Sequence, residues 1–256
     1  MKNFLRSILR ELDIKDHRQN FQPEWYSVLY KPLFITRYSV FQNIKNFAKN
    51  VHGKKILDVG CGEAPYRSLF TNCEYIGIDI EGGGHDDTLK NVNKFYDGMH
   101  IPYGDNEFDI VLFTGVLEHA EEPEIILAEI NRVLKQTGTL YLMAPFASDE
   151  HAIPYDFIRL TTFGLQKLLK RHNLVPKSIE KTTGIFGTIG QLTSSFLFEE
   201  FFGTVRLRGY RKRFLLQKIF AIFICFPIQA VSLSFDTIFR KRGITLCYIA
   251  IASKPV

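Results

Sequence analysis

Cysteine is scarce and scattered: Cys61, Cys73, Cys225 and Cys247 form no C-x-x-C pair and follow no metal-ligand spacing. A disulfide framework and a zinc site of the usual spacing are therefore not indicated, no metal is expected, and a reducing compartment suits the four thiols. A strong charge of either sign is also missing. The 32 basic and 27 acidic residues leave +5, too mild a balance for an electrostatic nucleic-acid binder. Internal repeats and low-complexity tracts are absent from the sequence. The opening MKNFLRSILRELDIKDH carries charges at positions 2, 6, 10, 11, 13, 15 and 16, and so lacks the continuous apolar stretch of a secretory signal. A cytoplasmic protein is expected. Phe4, Leu5, Ile8, Leu9 and Leu12 instead share one helical face, suited to docking on a core or on a membrane surface.

What is present first is enough apolar material for a core: 46% of 256 residues, which supports one large α/β domain or two small ones. Between residues 56 and 146, short β-branched runs alternate with helical patterns, the pattern of βαβ units on a parallel sheet. Strands are expected at 55–59, 75–79, 94–97, 109–114 and 139–145. EEPEIILAEINRVLKQTG predicts a helix with Pro123 at its start, Ile126, Ile130, Val133 and Leu134 on one face, and Gly138 as its stop. A second helix is expected after Thr161 or Thr162, with Leu165, Leu168 and Leu169 inward. Further strands are expected at 175–182 and 244–253, and a mostly helical segment before residue 50.

ILDVGCGEAPY, residues 56–66, is the sharpest local feature: a strand, a tight turn at Gly60 and Gly62, then Pro65 in the first turn of an expected helix. Such a turn lets a ligand approach bare backbone. Asp79, in YIGIDI, stands at the end of the next strand, about twenty residues after Asp58, where an acid can accept hydrogen bonds from ribose hydroxyls. A dinucleotide fingerprint would need G-x-G-x-x-G facing a pyrophosphate. Here Asp58 and Glu63 flank the glycines, which repels a pyrophosphate and suits a ligand that carries an ammonium group.

ILDVGCG, YIGIDI, IPYGDNEFDIVLFTGVLEH and the helix leading into LKQTGTLYLMAP occur in order over residues 53–146. Together they resemble the class I S-adenosylmethionine-dependent methyltransferases. The resemblance implies a Rossmann-like α/β fold with a mostly parallel seven-stranded sheet, an antiparallel last strand and helices on both faces. It implies S-adenosylmethionine as cofactor, with Gly60 and Gly62 behind its methionine portion, Asp58 near its ammonium and Asp79 on its ribose. Asp97 matches the position that meets the adenine amino group, Met99 is an apolar cover, and Thr114 ends the strand that borders the cofactor. EGGGHDDTLKNVNKF departs from the family pattern, because a glycine-rich acidic loop stands where a short helix is usual.

Ligands of open α/β sheets lie beyond the carboxyl ends of the strands, so the loops after residues 114 and 145 border the acceptor. The first carries Glu118 and His119; the second carries His151, Tyr155, Asp156 and Arg159. H-x-x-P-Y-D-F-x-R-x-T is similar to a stretch of methyltransferases associated with bacterial cell-surface glycan clusters. His151 and His119 are the candidate bases for a hydroxyl acceptor; His119 has an equal reading as a loop-bonding histidine. Glu118, Tyr155, Asp156 and Arg159 are candidate substrate contacts, while Asp156 and Arg159, three apart, can also simply pair. The N-P-P-Y signature of adenine or glutamine methylation is missing. The acceptor is expected to be a small molecule or a glycan or lipid-linked hydroxyl rather than nucleic acid, with a quinone-like molecule or a non-catalytic binding module as alternatives. The sequence does not indicate an oligomeric state.

One long apolar run remains. IFAIFICFPIQAVSLSF, residues 219–235, has no charge and is bracketed by Arg206, Arg208, Arg211, Lys212 and Arg213 before it and Arg240, Lys241 and Arg242 after it. Its length approaches the roughly twenty residues of a bilayer-spanning helix. A single crossing would separate the last strand from the partner it must pair with. The expected organisation is a helical segment at 1–52, a core at 53–183, an apolar and basic helical insertion at 184–242 and a final strand at 243–256. The insertion is expected to lie in or dip into a membrane as an anchor or lid bent at Pro227, or to pack on protein.

Overall fold

The computed structural model describes residues 18–82, 87–204, 216–239 and 242–255. The apolar face at residues 4–12, the basic cluster at 206–213, and Arg240 and Lys241 lie outside the described residues. Seven strands form one sheet: β1 Lys55–Val59, β2 Glu74–Ile80, β3 Lys94–Tyr96, β4 Phe108–Thr114, β5 Leu134–Pro145, β6 Val175–Lys181 and β7 Cys247–Ser253. Their order is β3-β2-β1-β4-β5-β7-β6. β1 to β5 pair in parallel, and β7 runs antiparallel to both β5 and β6. The expected Rossmann-like seven-stranded sheet is therefore the observed one. The order reverses between β1 and β4, and this switch point is where open α/β sheets leave a crevice at the carboxyl ends of their strands.

Burial follows the sequence pattern. Ile56, Leu57, Val111, Leu112 and Phe113 are wholly buried, as strands covered on both faces require. Against one face pack Ile126, Leu127, Ile130 and Val133, all from the helix Pro123–Val133, together with Leu165, Leu168 and Leu169 from the helix Thr162–Arg171. Each such side chain contributes about 1.5–3 kcal/mol on burial. The Thr161 hydroxyl accepts from Gly164 N at 3.2 Å and caps the second of these helices. On the other face Phe47 lies 4.8 Å from Tyr141 and 6.5 Å from Phe70 between ring centroids.

Several boundaries differ from the sequence reading, three of them by more than one residue. No α-helix joins β1 to β2; residues 61–70 are turns ending in a single 3-10 turn at Arg67–Leu69. Ala64 takes a left-handed φ of 50° before Pro65, and the chain reaches β2 without an α-helical turn. The Pro123 helix ends at Val133, short of Lys135, because Leu134 already pairs with Phe108 as the first residue of β5. β7 begins at Cys247 rather than Ile244: the Thr245 hydroxyl accepts from Thr183 N at 3.2 Å instead of entering the ladder.

Two compact units emerge. One is the sheet unit, Asn43–Thr182 with Leu246–Val256; the other combines residues through Gln42 with Thr183–Thr245. In the second, the helices Ile185–Thr204 and Leu216–Ile238 pack on one another. The latter contains a π-helical turn at Ala221–Cys225, immediately before Pro227. Proline cannot donate to the preceding turn, and a widened turn is one way a helix absorbs that missing bond.

Candidate functional site

The turn after β1 is built from backbone alone. Gly60 and Cys61 donate to Ile78 O at 2.8 and 3.0 Å, which fastens the turn to β2. Gly60 has φ +71°, and a Cβ added there would collide with Val116 Cγ2. Gly62 has φ +52° with nothing within 4 Å of an added Cβ, so open space lies over the second glycine. Gly62 N donates to Asp79 Oδ2 at 2.6 Å. Asp79 Oδ1 accepts from Ile80 N at 2.7 Å and lies 3.7 Å from Lys90 Nζ.

Lys90 is a residue that sequence reasoning missed. Its side chain is 3% exposed, its ammonium donates to Ile80 O and Gly82 O at 2.6 and 2.9 Å, and it pairs with Asp87 at 2.7 Å. It ties the acidic loop to Asp79. A lone lysine in a loop has no periodicity that could have revealed it.

Asp58 is buried, with one oxygen accepting from the Tyr75 hydroxyl and the other, Oδ1, without a partner. Burial pushes its carboxyl up to about 7, the Tyr75 bond and Arg67 opposing this and Asp79 adding to it. An uncompensated buried carboxylate is costly, and a cation placed against Oδ1 would relieve it.

Asp97 and Met99 sit differently. Asp97 Oδ1 accepts from Met99 N and His100 N at 2.8 and 2.6 Å, and Oδ2 meets His100 Nδ1 at 2.8 Å. These bonds, the His100 backbone first, hold its carboxyl down to about 2. Asp97 therefore caps its own turn, about half exposed, with Met99 beside it at 40% exposure. Thr114 ends β4 opposite Met143.

Beyond Thr114, Glu118, His119 and His151 come together. Glu118 is buried, and loss of water raises its carboxyl to about 7. His119 is pushed down, chiefly by burial. The two imidazole rings meet edge to face at 4.9 Å. Asp156 and Arg159 form a bidentate pair, with Nη2 2.6 Å from Oδ2, and Asp156 also accepts from His151 N at 3.1 Å. Their pairing takes up the groups expected to reach a substrate. Tyr155 is 49% exposed, its carbonyl accepting from His119 Nδ1. Val116, the residue touching Gly60, lies two positions before Glu118, so the glycine turn and the imidazole cluster border one region at the switch point. A separate cavity of about 550 Å³, lined among others by Lys54, Asp109, Lys135 and Glu180, includes none of these residues.

A family model described as a methyltransferase domain matches residues 57–142. That stretch is similar to the methyltransferase domain family, and the sheet order is the fold of solved S-adenosylmethionine-dependent methyltransferases. Sterol 24-C-methyltransferase erg6 of Schizosaccharomyces pombe is 34% identical over 112 residues, covering 39% of this chain and 30% of that one. The demethylmenaquinone methyltransferase of Staphylococcus carnosus is 35% identical over 99 residues, covering 34% of this chain and 41% of that one. The chain thus spans less than half the length of both relatives. Among solved structures, a SAM dependent methyltransferase from Archaeoglobus fulgidus superposes with a TM-score of 0.52 at 15% identity, over 93% of this chain and 98% of that one.

The features of this site fit an adenosyl ligand with a cationic end. Gly62 leaves room for close backbone approach, Asp58 Oδ1 is an orphaned acceptor, and the Asp79 carboxylate keeps lone pairs beyond the two amide bonds it accepts. A pH dependence follows. An ammonium favours ionised Asp58, so cofactor binding should expel a proton near neutrality, and affinity should fall up to tenfold per unit below about pH 7 and level off above it. Calorimetry from pH 5.5 to 8.5 in buffers of different ionisation enthalpy measures this. A flat profile, with no proton released, would remove Asp58 from the cofactor's ammonium.

Proposed function

We propose that the protein transfers a methyl group from S-adenosylmethionine to an oxygen acceptor carried by a glycan or lipid-linked molecule at the cytoplasmic face of a membrane. The observation that carries this reading is the turn at Gly60 and Gly62, open over Gly62 and flanked by the orphaned oxygen of Asp58 and by Asp79. The cofactor supplies an activated methyl on a sulfonium, so the protein's task is alignment, exclusion of water and handling of the acceptor proton. In this reading Gly60, Gly62 and Asp58 hold the methionine end, Asp79 the ribose, and Asp97, Met99 and Thr114 border the rest. The acceptor proton is handled at the cluster of His151 and His119, whose Nε2 atoms face Glu118.

Membrane contact is supported by an inverted arrangement in the helical unit. Gln191, Gln229, Asp236 and Thr188 are buried there, while Ile189, Phe196, Phe223, Val231 and Ile238 are more than half exposed. The buried polar groups are bonded inward: Gln191 Nε2 donates to Pro32 O at 2.7 Å, Gln229 Nε2 to Lys31 O at 3.1 Å, and Asp236 accepts from Gly184 N at 2.7 Å. Large exposed apolar surfaces mark contact with protein or lipid, and the basic stretches in the sequence around residues 206–213 and 240–242 favour anionic headgroups. Leu216–Ile238, 23 residues whose most apolar 18-residue stretch has mean hydropathy 1.8, is long and apolar enough to cross a bilayer. Its flanking strands β6 and β7 pair in one sheet, so contact from one side is the consistent reading.

A second reading is an apolar, quinone-like acceptor, favoured by the sterol and demethylmenaquinone relatives. The deciding experiment incubates the full chain with methyl-labelled cofactor and membrane fractions, beside dialysis against S-adenosylmethionine and NAD. Label entering glycan or lipid-linked material through an alkali-stable ether supports the first reading, and label in a quinone fraction supports the second. Binding of NAD without S-adenosylmethionine would sink both.

A further inference from the structure

Glu118, His119 and His151 present three donor atoms to one point without bonding one another. Glu118 Oε1 lies 3.8 Å from His119 Nε2 and 3.9 Å from His151 Nε2, and a ligand atom from each of the three residues lies within 4.8 Å of the other two. Those separations exceed hydrogen-bond length. Each ring turns its other nitrogen to an oxygen: His119 Nδ1 to the Tyr155 carbonyl, and His151 Nδ1 to the Asp149 carbonyl and Asp156 Oδ2, both at 3.3 Å. A ring that donates through Nδ1–H keeps an unprotonated lone pair on Nε2. Two lone pairs and a carboxylate oxygen thus face one space, which is repulsive unless something positive stands among them. The Glu118 side chain is 3% exposed, and its Oε2 has no hydrogen-bond partner.

We propose that Glu118, His119 Nε2 and His151 Nε2 form a binding site for a divalent transition-metal cation of the zinc type. Two imidazoles with one carboxylate suit such a cation and not magnesium or calcium, which take oxygen donors. Tetrahedral zinc sets neighbouring donors roughly 3.4 Å apart, so the two Glu118 edges, 3.8 and 3.9 Å, need to contract by about half an ångström and the edge between the histidines, within 4.8 Å, by at most about 1.4 Å. Ring nitrogens held by carbonyl and carboxylate acceptors are the outer contacts that orient metal-bound histidines. Three protein donors leave a coordination position open, and His151, 47% exposed, stands on the accessible side. His119 and His151 come from different loops, which is why no ligand spacing was visible and no metal was expected from the sequence.

The role of the cation rests on the oxygen-acceptor reading, whereas its binding does not. An acceptor hydroxyl in the open position gives its proton to water, the O–H electron pair staying on oxygen, and does so closer to neutral pH than a free hydroxyl would. The protein then handles the acceptor proton through the cation instead of directly at an imidazole.

The test strips the full-length protein with a chelator, dialyses it, and titrates it with Zn²⁺ against a competing chelator and with Co²⁺ by visible absorption. S-adenosylmethionine binding is measured on the same samples. One equivalent of Zn²⁺ is expected, with Glu118→Gln and His151→Ala each weakening it at least tenfold. Should either variant misfold, the imidazole ¹⁵N resonances of the wild-type protein decide: Zn²⁺ must move those of two histidines. Less than one equivalent, affinity unchanged in folded variants, or unmoved resonances would overturn the site. Zinc binding in a protein that ignores S-adenosylmethionine would leave the site standing and remove the methyl-transfer reading; the converse result would do the opposite.

Discussion

Gly60→Ala is expected to lower stability by about 2–5 kcal/mol, because a left-handed φ costs an L-residue about 1–2 kcal/mol and overpacking adds about 1–3. For a chain of this size that corresponds to a melting point lower by roughly 4–20 °C. The cause is local: φ is +71°, and the new Cβ would enter the volume of Val116 Cγ2. Gly62→Ala separates conformation from space. Its φ of +52° carries a similar backbone cost, yet nothing lies within 4 Å of the added carbon, so the expected loss is only about 1–2 kcal/mol. The methyl would instead stand where a ligand meets the turn, and S-adenosylmethionine affinity should drop at least tenfold. Thermal melts and calorimetry on the two variants check the contrast. Equal melting points, or undiminished affinity in Gly62→Ala, would contradict it.

Arg159→Met carries the second large effect. The Asp156 side chain is 6% exposed and its carboxylate is held by the guanidinium of Arg159, itself 23% exposed. Removing one member of a buried pair leaves a charge without compensation, typically about 3–5 kcal/mol. The partial exposure of Arg159 puts the expected cost at the low end, about 3 kcal/mol. Asp156 also accepts from His151 N, so the loop that carries His151 should lose order with the pair. The double variant with Asp156→Asn should recover much of the loss, since it removes the stranded charge. Denaturant melts and amide exchange over residues 148–160 measure this, and a double variant no more stable than Arg159→Met alone would refute the account.

Much of the fold was legible in one dimension. Apolar runs such as KILDV and DIVLFT need burial on both faces, and the period of EEPEIILAEINRV with Pro123 at its start needs a sheet beneath it. Where the reading failed, the cause was local geometry that periodicity does not record. Turns and a 3-10 turn at Arg67–Leu69 stand where a helix was expected after Gly62, and early pairing of Leu134 with Phe108 shortened another.

The candidate site divides the same way. Gly60, Gly62, Asp58 and Asp79 could be singled out because a turn with bare backbone and an acid near the end of each of two adjacent parallel strands are local features of the sequence. Lys90 could not, since its burial depends on a loop folding back over Asp79. His119 and His151 could each be noticed alone, but their convergence on Glu118 is set by two loops meeting at the carboxyl edge of the sheet. The amino-acid order therefore determined the sheet, the glycine turn and the charge-free run at 219–235, because each follows from local sterics or burial. Only the tertiary structure decided which polar groups lose water together and which helical faces turn outward, because burial and convergence belong to chains brought together across long separations.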